Sequence, residues 1–448
     1  MSDRPNVLVF FTDQQRWDTT GVHGNPLDLT PNFDAMARRG THFCHAFTCQ
    51  PVCGPARASL QTGLYATATG CFRNAIPLAA HHNTLAHYFK AAGYHTGYIG
   101  KWHLASRDPV PKEERGGYDY WLAANTLEFT SDAYDTNLYD NDNRLVKLPG
   151  YRVDALADAA IRYIDAHKTG DPFFLFLSFL EPHHQNHRDD YPAPEGYAQR
   201  YQGRWTPPDL QALGGSAPQH LGGYYGMVKR LDEALGRILD ALKSLGLLEN
   251  TVVVYTTDHG NHFKTRNGEY KRSLHDASIR IPLAIQGPGF NGGGQVQELV
   301  SLVDVPATLL DAAGIPIPEH MHGRSLLPLA KKEADPWPEE IYVQISESQV
   351  GRAVRTHRWK YGVVAPDKNG WDDPASLVYE EAYLYDLQAD PYELTNLIGL
   401  ESHQEVAEVM RQRLLCRMTA AGEEVAEILT APLRTSGQRR VTPDEARQ

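Results

Sequence analysis

Cysteine is scarce in this chain, with five in 448 residues. An odd, low count at this length does not make a disulfide framework. Cys44, Cys49 and Cys53 lie close together, but their spacing matches no standard zinc or iron–sulfur pattern and no C-x-x-C pair exists. Long apolar runs are missing too. The longest, around Phe173 to Leu180, is too short to span a bilayer. The apolar stretch Asn6 to Phe11 leads straight into Thr12-Asp13-Gln14-Gln15 without a cleavage region. No signal peptide is read there, and a cytoplasmic chain is expected. Excess positive charge is also lacking: the net charge is −12. That excludes a broad nucleic-acid or acidic-membrane surface, so neither nucleic acid nor membrane is an expected partner. It leaves room for a local cluster of Lys, Arg and His that binds a small anion inside a cleft. No internal repeat and no long low-complexity segment interrupts the chain.

What is present is an ordinary globular composition, 42% hydrophobic and 22% charged, enough for a sizeable core. Short apolar runs at Asn6–Thr12, Tyr94–Gly100, Pro172–Leu180, Thr251–Thr257 and Ile281–Gln286 read as buried strands. Helical periodicity lies between them, at Val153 to Ile164, Met227 to Leu248 and Asp304 to Ala313. Alternating strands and helices predict an α/β fold with a large, mostly parallel central sheet flanked by helices. Composition changes near 331–340. Beyond it, Ile341–Ile345, Arg352–Thr356, Lys360–Val364 and Tyr383–Leu387 read as short strands, followed by a helix from Gln404 to Ala421. The expected organisation is a catalytic domain over 1–335 and a smaller antiparallel-sheet subdomain with a terminal helix over 336–448.

The informative residues lie just past the strands. The first strand ends at Asp13-Gln14, the second at Lys101 with His103 beyond it, the third at Glu181-Pro182-His183-His184, and the fourth at Asp258-His259. Ligands of open α/β sheets bind beyond the carboxyl ends of the strands. One sheet edge therefore receives carboxylates, an amide, a lysine and histidines. Cys53-Gly54-Pro55-Ala56-Arg57 opens a helix, with Pro55 suited to its first turn. Cys53 then sits at a helix N-terminus, which favours an anion, and Arg57 lies one turn on. Taken alone, this motif reads first as a buried cysteine before a helix.

C-x-P-x-R followed by Ala58-Ser59-Leu60-Gln61-Thr62-Gly63 resembles the signature of the formylglycine-dependent sulfatases. Further motifs are similar to that family's and keep its order. They are Pro5 to Asp13, Gly100-Lys101-Trp102-His103-Leu104, Thr257-Asp258-His259-Gly260, Tyr270-Lys271-Arg272-Ser273 with Arg280-Ile281-Pro282, Gly323 to Leu329, and Leu384 to Leu397. The resemblance runs from about residue 4 to 400. It implies an alkaline-phosphatase-like fold and sulfate-ester hydrolysis. It implies that a formylglycine-generating or anaerobic sulfatase-maturating enzyme oxidises Cys53 to formylglycine.

The resemblance also assigns roles. Asp13, Gln14, Asp258 and His259 hold a divalent cation, with residue 53 completing the shell. Arg57, Lys101, His103, His183 and Lys271 surround the sulfate and the nucleophile. One hydroxyl of the hydrated aldehyde attacks sulfur; loss of a proton from the other re-forms the aldehyde and releases sulfate. His103 accepts that proton, His183 or Lys271 protonates the leaving oxygen, and Lys101 and Arg57 stabilise charge. Oxygen donors point to calcium or magnesium. Many members of the family carry a second Asp where this chain has Gln14 and an Asn where it has His259. That brings manganese or zinc into range. The same combination occurs in relatives resembling choline sulfatases and phosphonate monoester hydrolases.

Arg73, Asn74, His184, Gln185, Asn186 and His187 are candidates for substrate contact. Tyr191, Tyr197, Tyr201 and Trp205, with Arg188, Arg200 and Arg204, suit sugar rings or form an ordinary surface insertion. The expected substrate is a small-molecule or oligosaccharide sulfate ester. Two other functions fit the scaffold. One is a phosphonate or phosphate mono- or diester hydrolase; the other is a sulfated-glycan-binding protein with unmodified Cys53.

Overall fold

The computed structural model describes residues 4–333 and 336–448. Residue 335, the expected domain boundary, lies outside the described residues. Strands β1 (Asn6–Thr12), β2 (Thr41–Phe47), β3 (His95–Lys101), β4 (Tyr120–Ala124), β5 (Thr136–Tyr139) and β6 (Leu145–Leu148) precede β7 (Phe173–Ser178), β8 (Thr251–Thr257), β9 (Arg280–Ile281), β10 (Ala284–Gln286) and β11 (Gly294–Ser301). Among the described residues they form one sheet in the order β11-β2-β10-β8-β1-β7-β3-β4-β5-β6, with β9 on β2. The run β8-β1-β7-β3-β4 is parallel throughout. Antiparallel pairs lie only towards the two sides, among β2, β8, β9 and β10 and among β4, β5 and β6.

Strand periodicity explains the layers. Val7, Val9 and Phe11 join one core with Ala56, Leu60, Phe89 and Leu309. Leu8 and Phe10 point the other way, into a core with Leu156, Leu231, Leu235 and Ile238. Both faces of β1 are therefore covered by helices, as a continuous apolar run requires. The helices Cys53–Thr62 and Asp304–Ala312 lie on the first face, and Arg152–Ala166 and Ala217–Ser244 on the second.

Two expectations shift. The run Ile281–Gln286 is two short strands, because Pro282 has no N–H to give a ladder and breaks the pairing. The helix expected from Met227 begins ten residues earlier, at Ala217. Its glycines hid that start. A Cβ on Gly223 would lie 2.3 Å from the carbonyl oxygen of Tyr191, so the missing side chain lets the 191–201 segment pack directly on the helix.

The second sheet contains β12 (Ile341–Ile345), β13 (Gly351–Arg355), β14 (Trp359–Val364), β15 (Val378–Asp386) and β16 (Glu427–Leu429). The first four are antiparallel neighbours, and β16 adds itself parallel to β15. The helix Gln404–Ala420 packs Val406, Met410 and Leu414 on Val354 and Trp359. No helix among the described residues is long and apolar enough to cross a membrane.

A buried ionic cluster joins the two sheets. Asp276, just before β9, accepts a two-pronged bond from Arg355 of β13 (3.1 and 3.0 Å) and a third from Lys360 of β14. Lys360 also pairs with Glu393. Burial opposes ionisation of Asp276, but Arg355 and Lys360 outweigh it and hold the carboxyl below its usual range. Asp276→Ala leaves two cations buried without this partner and is expected to cost about 3–5 kcal/mol, read by urea unfolding at neutral pH. Because the folded-state pKa is depressed, the wild type has this stabilisation above the unfolded value of about 4 and loses it progressively below. The difference between the two proteins should therefore shrink on acidification. An unchanged difference would show that the Asp276 charge is not its source.

Candidate active site

Strand register brings the site together. Thr12 of β1 pairs with Thr257 of β8, so Asp13 and Asp258 leave the sheet side by side. Phe11 pairs with Ser178 of β7, and Gly100 of β3 pairs with the same Ser178. Lys101 therefore comes next to Asp13, while the chain after β7 carries His183 to the same edge. Gly100 is required at this position. Its φ is +106°, and a Cβ would stand 1.8 Å from the Ser178 carbonyl oxygen.

The Cys53–Thr62 helix aims its first turn at this edge. Its free N–H groups need partners, and the side-chain carbonyl of Asn74 accepts from Gly54 at 2.9 Å. Cys53, 1% exposed, sits on the helix end. Lys271 Nζ donates to its Sγ at 2.8 Å, and His259 Nε2 lies 3.3 Å away. Burial opposes a thiolate, but Lys101, Lys271 and His259 outweigh it and hold the thiol well below its ordinary value.

Asp13 Oδ2 accepts from Arg57 at 2.8 Å and from Lys101 at 2.9 Å. Arg57 Nε reaches Asp258 Oδ2 at 3.4 Å, and Asp258 Oδ1 accepts the backbone N–H groups of Gln14 and His259. Burial and the neighbouring Asp13 charge push Asp258 up to about 6. Ligand atoms of Asp13, Cys53, Asp258 and His259 all lie within 4.8 Å of one another. His259 Nδ1 bonds the Gly260 carbonyl at 2.9 Å, which turns Nε2 towards the cluster, an orientation common to metal-binding histidines. Both amide atoms of Gln14 are buried without a hydrogen-bond partner. An orphaned amide beside two carboxylates and an imidazole is a donor set that fits a divalent cation.

Above this cluster opens a cavity of about 400 Å³. Cys53, His103, His183 and Lys271 lie on its wall, and so do Asn74, His184 and Asn186. His183 Nδ1 bonds the His184 carbonyl at 2.6 Å, leaving Nε2 to accept from Lys271 at 3.2 Å. Burial and the Lys271 charge keep the His183 pKa low. His103 has a left-handed backbone (φ 61°) and lies 3.6 Å from Glu128 through Nδ1.

Other candidates sit elsewhere. Arg57 and Lys101 lie beneath the floor, occupied by carboxylates, and do not line the cavity. Arg73 stands behind the wall against Trp371. Gln185 is fully buried, with its amide donating to the carbonyls of Glu128 and Ser131, so it braces the wall from behind. His187 points to Asp132 at 3.8 Å, away from the wall. Tyr191 and Tyr201 pack with Tyr224 and Met227, and none of the aromatic residues of 188–208 lines the cavity. The aromatics that do are Phe129 and Trp371, which sequence reasoning missed. Glu128 was missed as well. It lies 3.1 Å from Lys101, and a lone glutamate in a one-turn helix offers no motif to find it by.

The chain matches the family model Sulfatase over residues 5–315 and the model N-sulphoglucosamine sulphohydrolase, C-terminal, over 268–420. It is 33% identical to an ulvan-active sulfatase of Formosa agariphila, covering 94% of this chain and 82% of that one. Among solved structures, it superposes with a TM-score of 0.78 on a protein in complex with its substrate D-glucosamine-2-N,6-O-disulfate. That match has 23% identity and covers 94% of this chain and 98% of the other. It superposes with a TM-score of 0.72 on the phosphonate monoester hydrolase of Agrobacterium radiobacter, at 25% identity over 93% and 96%. On the strength of these matches and of the alkaline-phosphatase-like sheet that carries the site, the chain belongs to the sulfatase family and is a sulfuric ester hydrolase.

Proposed function

We propose that this enzyme hydrolyses an O-sulfate ester carried by a carbohydrate, with Cys53 in its formylglycine form. Asp13, Gln14, Asp258 and His259 would hold a divalent cation, calcium in the first place. The observation that carries this reading is the position of Cys53. It lies on the floor of a cavity, on a helix end, between the Lys271 ammonium at 2.8 Å and the donor cluster. A cavity of about 400 Å³ has room for a sugar as well as its sulfate. The likeness to a protein that takes a glucosamine disulfate supports a sugar.

Formylglycine would supply an oxygen nucleophile in place of sulfur, and the cation would supply positive charge at the sulfate. The remaining work falls to side chains of this chain. Arg57 pairs with both carboxylates and Lys101 with Asp13, and these contacts fix them from behind. Lys271 and His183 form a pair in which the ammonium donates and the imidazole accepts. The pair's proton therefore sits on Lys271, which binds sulfate and protonates the leaving oxygen, while His183 holds its Nζ in place. His103 accepts the proton released when the nucleophile is reset, and Glu128 stabilises the imidazolium that results. Asn74 keeps the helix end aligned through Gly54.

The second reading is a phosphonate monoester hydrolase, favoured by the likeness to the Agrobacterium enzyme and by Gln14 and His259 among the cation donors. A nitrophenyl sulfate and a phenyl phosphonate ester, turned over side by side, separate the two. A preference for the phosphorus ester by several orders of magnitude would make the phosphonate hydrolase the better reading.

After co-expression with a formylglycine-generating enzyme, the Cys53 peptide should show the mass loss of thiol-to-aldehyde conversion. Activity should rise with it and be absent in Cys53→Ala. Full turnover with an unmodified thiol would end the formylglycine assignment. Chelation should abolish activity and lower the melting temperature, with calcium restoring both better than zinc or manganese. Lys271→Ala should lower kcat/KM by about 10²–10⁴, most strongly for substrates with poor leaving groups. A loss confined to KM would assign Lys271 to binding alone.

A further inference from the structure

The cavity wall above the reacting groups carries a set of residues that sulfate chemistry does not use. Arg107 lies in the loop after β3. It is exposed and, among the described residues, makes no ion pair or hydrogen bond. The other two cations of the wall are engaged. Lys271 serves Cys53 and His183, and Arg272 pairs with Glu347 at 2.6 Å and Glu269 at 3.3 Å. An unpartnered guanidinium at the mouth of an active site, in a chain of net charge −12, leaves a positive spot where a substrate enters.

Two aromatic rings stand on the same wall. Phe129 is 66% exposed and Trp371 is 41% exposed. Trp371 is not a loose surface residue. The guanidinium groups of Arg73 and Arg272 lie 5.7 and 5.6 Å from its ring centre. Its backbone N–H is held by the Asn369 side chain at 3.0 Å. The ring is thus fixed by two cations while a large part of it stays open to water, as a preorganised platform for the apolar face of a sugar.

Resting on the sulfatase reading of the site, we propose that the sugar bearing the scissile sulfate carries a second anionic group, a carboxylate or another sulfate. Arg107 binds that group while the ring lies against Trp371. Arg107 is then a specificity residue and takes no part in bond breaking. A guanidinium matches either anion with two parallel N–H···O bonds.

The test uses three methyl glycosides with the same ring sulfate: a neutral glucoside, its glucuronoside counterpart and a disulfated glucoside. Binding is measured by calorimetry and turnover by sulfate release, with 4-nitrophenyl sulfate as the control. The enzyme should bind at least one anionic sugar more tightly than the neutral one, by about tenfold. Which of the two gains identifies the anion. Arg107→Ala should abolish that gain, Arg107→Lys should restore part of it, and neither should change kcat/KM for 4-nitrophenyl sulfate. Trp371→Ala should weaken all three sugars alike. Equal binding of the three sugars by the wild type, or equal losses for all three in Arg107→Ala, would overturn the proposal. Tight, Arg107-dependent binding without any sulfate release would uphold the anionic subsite while refuting the proposed reaction.

Discussion

Two carboxylates buried beside one another set the terms for the whole site. The parallel register of β1 and β8 gives Asp13 and Asp258 no alternative, since Thr12 and Thr257 are partners across the ladder and each Asp follows directly. Both are 0% exposed. Taking two like charges out of water together is costly, and the cost falls only when cations are supplied with good geometry. Arg57 and Lys101 supply two, reaching across from the helix behind Cys53 and from β3. These contacts tie the helix and three strands to a single point. Gly100, whose left-handed turn lets Lys101 come that close, is part of the same solution.

Much of this was legible in the sequence because strand ends are legible. Continuous apolar runs mark buried parallel strands, and the residue after each run must lie at the sheet edge. Asp13, Lys101, His183 and Asp258 could be assigned to one place without knowing strand order. The roles of Arg57 and Lys101 were read less well. Their spacing brings them near an anion, but spacing does not say whether a long cation faces the cavity or the carboxylates beneath it. Gln185 failed for a related reason. A polar residue beside His183 looks like a ligand contact until burial shows that its amide holds the carbonyls of Glu128 and Ser131.

The cavity wall was the least legible part. Arg107 comes from the loop after β3, Glu128 and Phe129 from a one-turn helix after β4, and Trp371 from a turn of the second sheet. Such residues have no periodicity to announce them, and what they face depends on how two sheets meet. The aromatic stretch 188–208 misled because aromatic content alone does not distinguish a sugar platform from a core. The Gly222, Gly223 and Gly226 set, which lets that stretch sink against the long helix, was the sequence signal that it packs inward.

Glu347 joins the second sheet to the first at the catalytic helix. It lies in the turn after β12, with φ of 64°, and its carboxylate takes the Asn74 N–H at 2.7 Å and the Arg272 guanidinium at 2.6 Å. Asn74 in turn holds Gly54. The sequence separation from Asn74 to Glu347 is 273 residues. A ribosome makes the N-terminal segment first. The Cys53 segment therefore emerges well before Lys271 is there to cover the thiol, and longer still before Glu347 is there to fix Asn74. In the finished protein Cys53 is 1% exposed, at the bottom of its cavity. The order of synthesis thus leaves the Cys53 segment without its Lys271 and Glu347 contacts until those residues have been made.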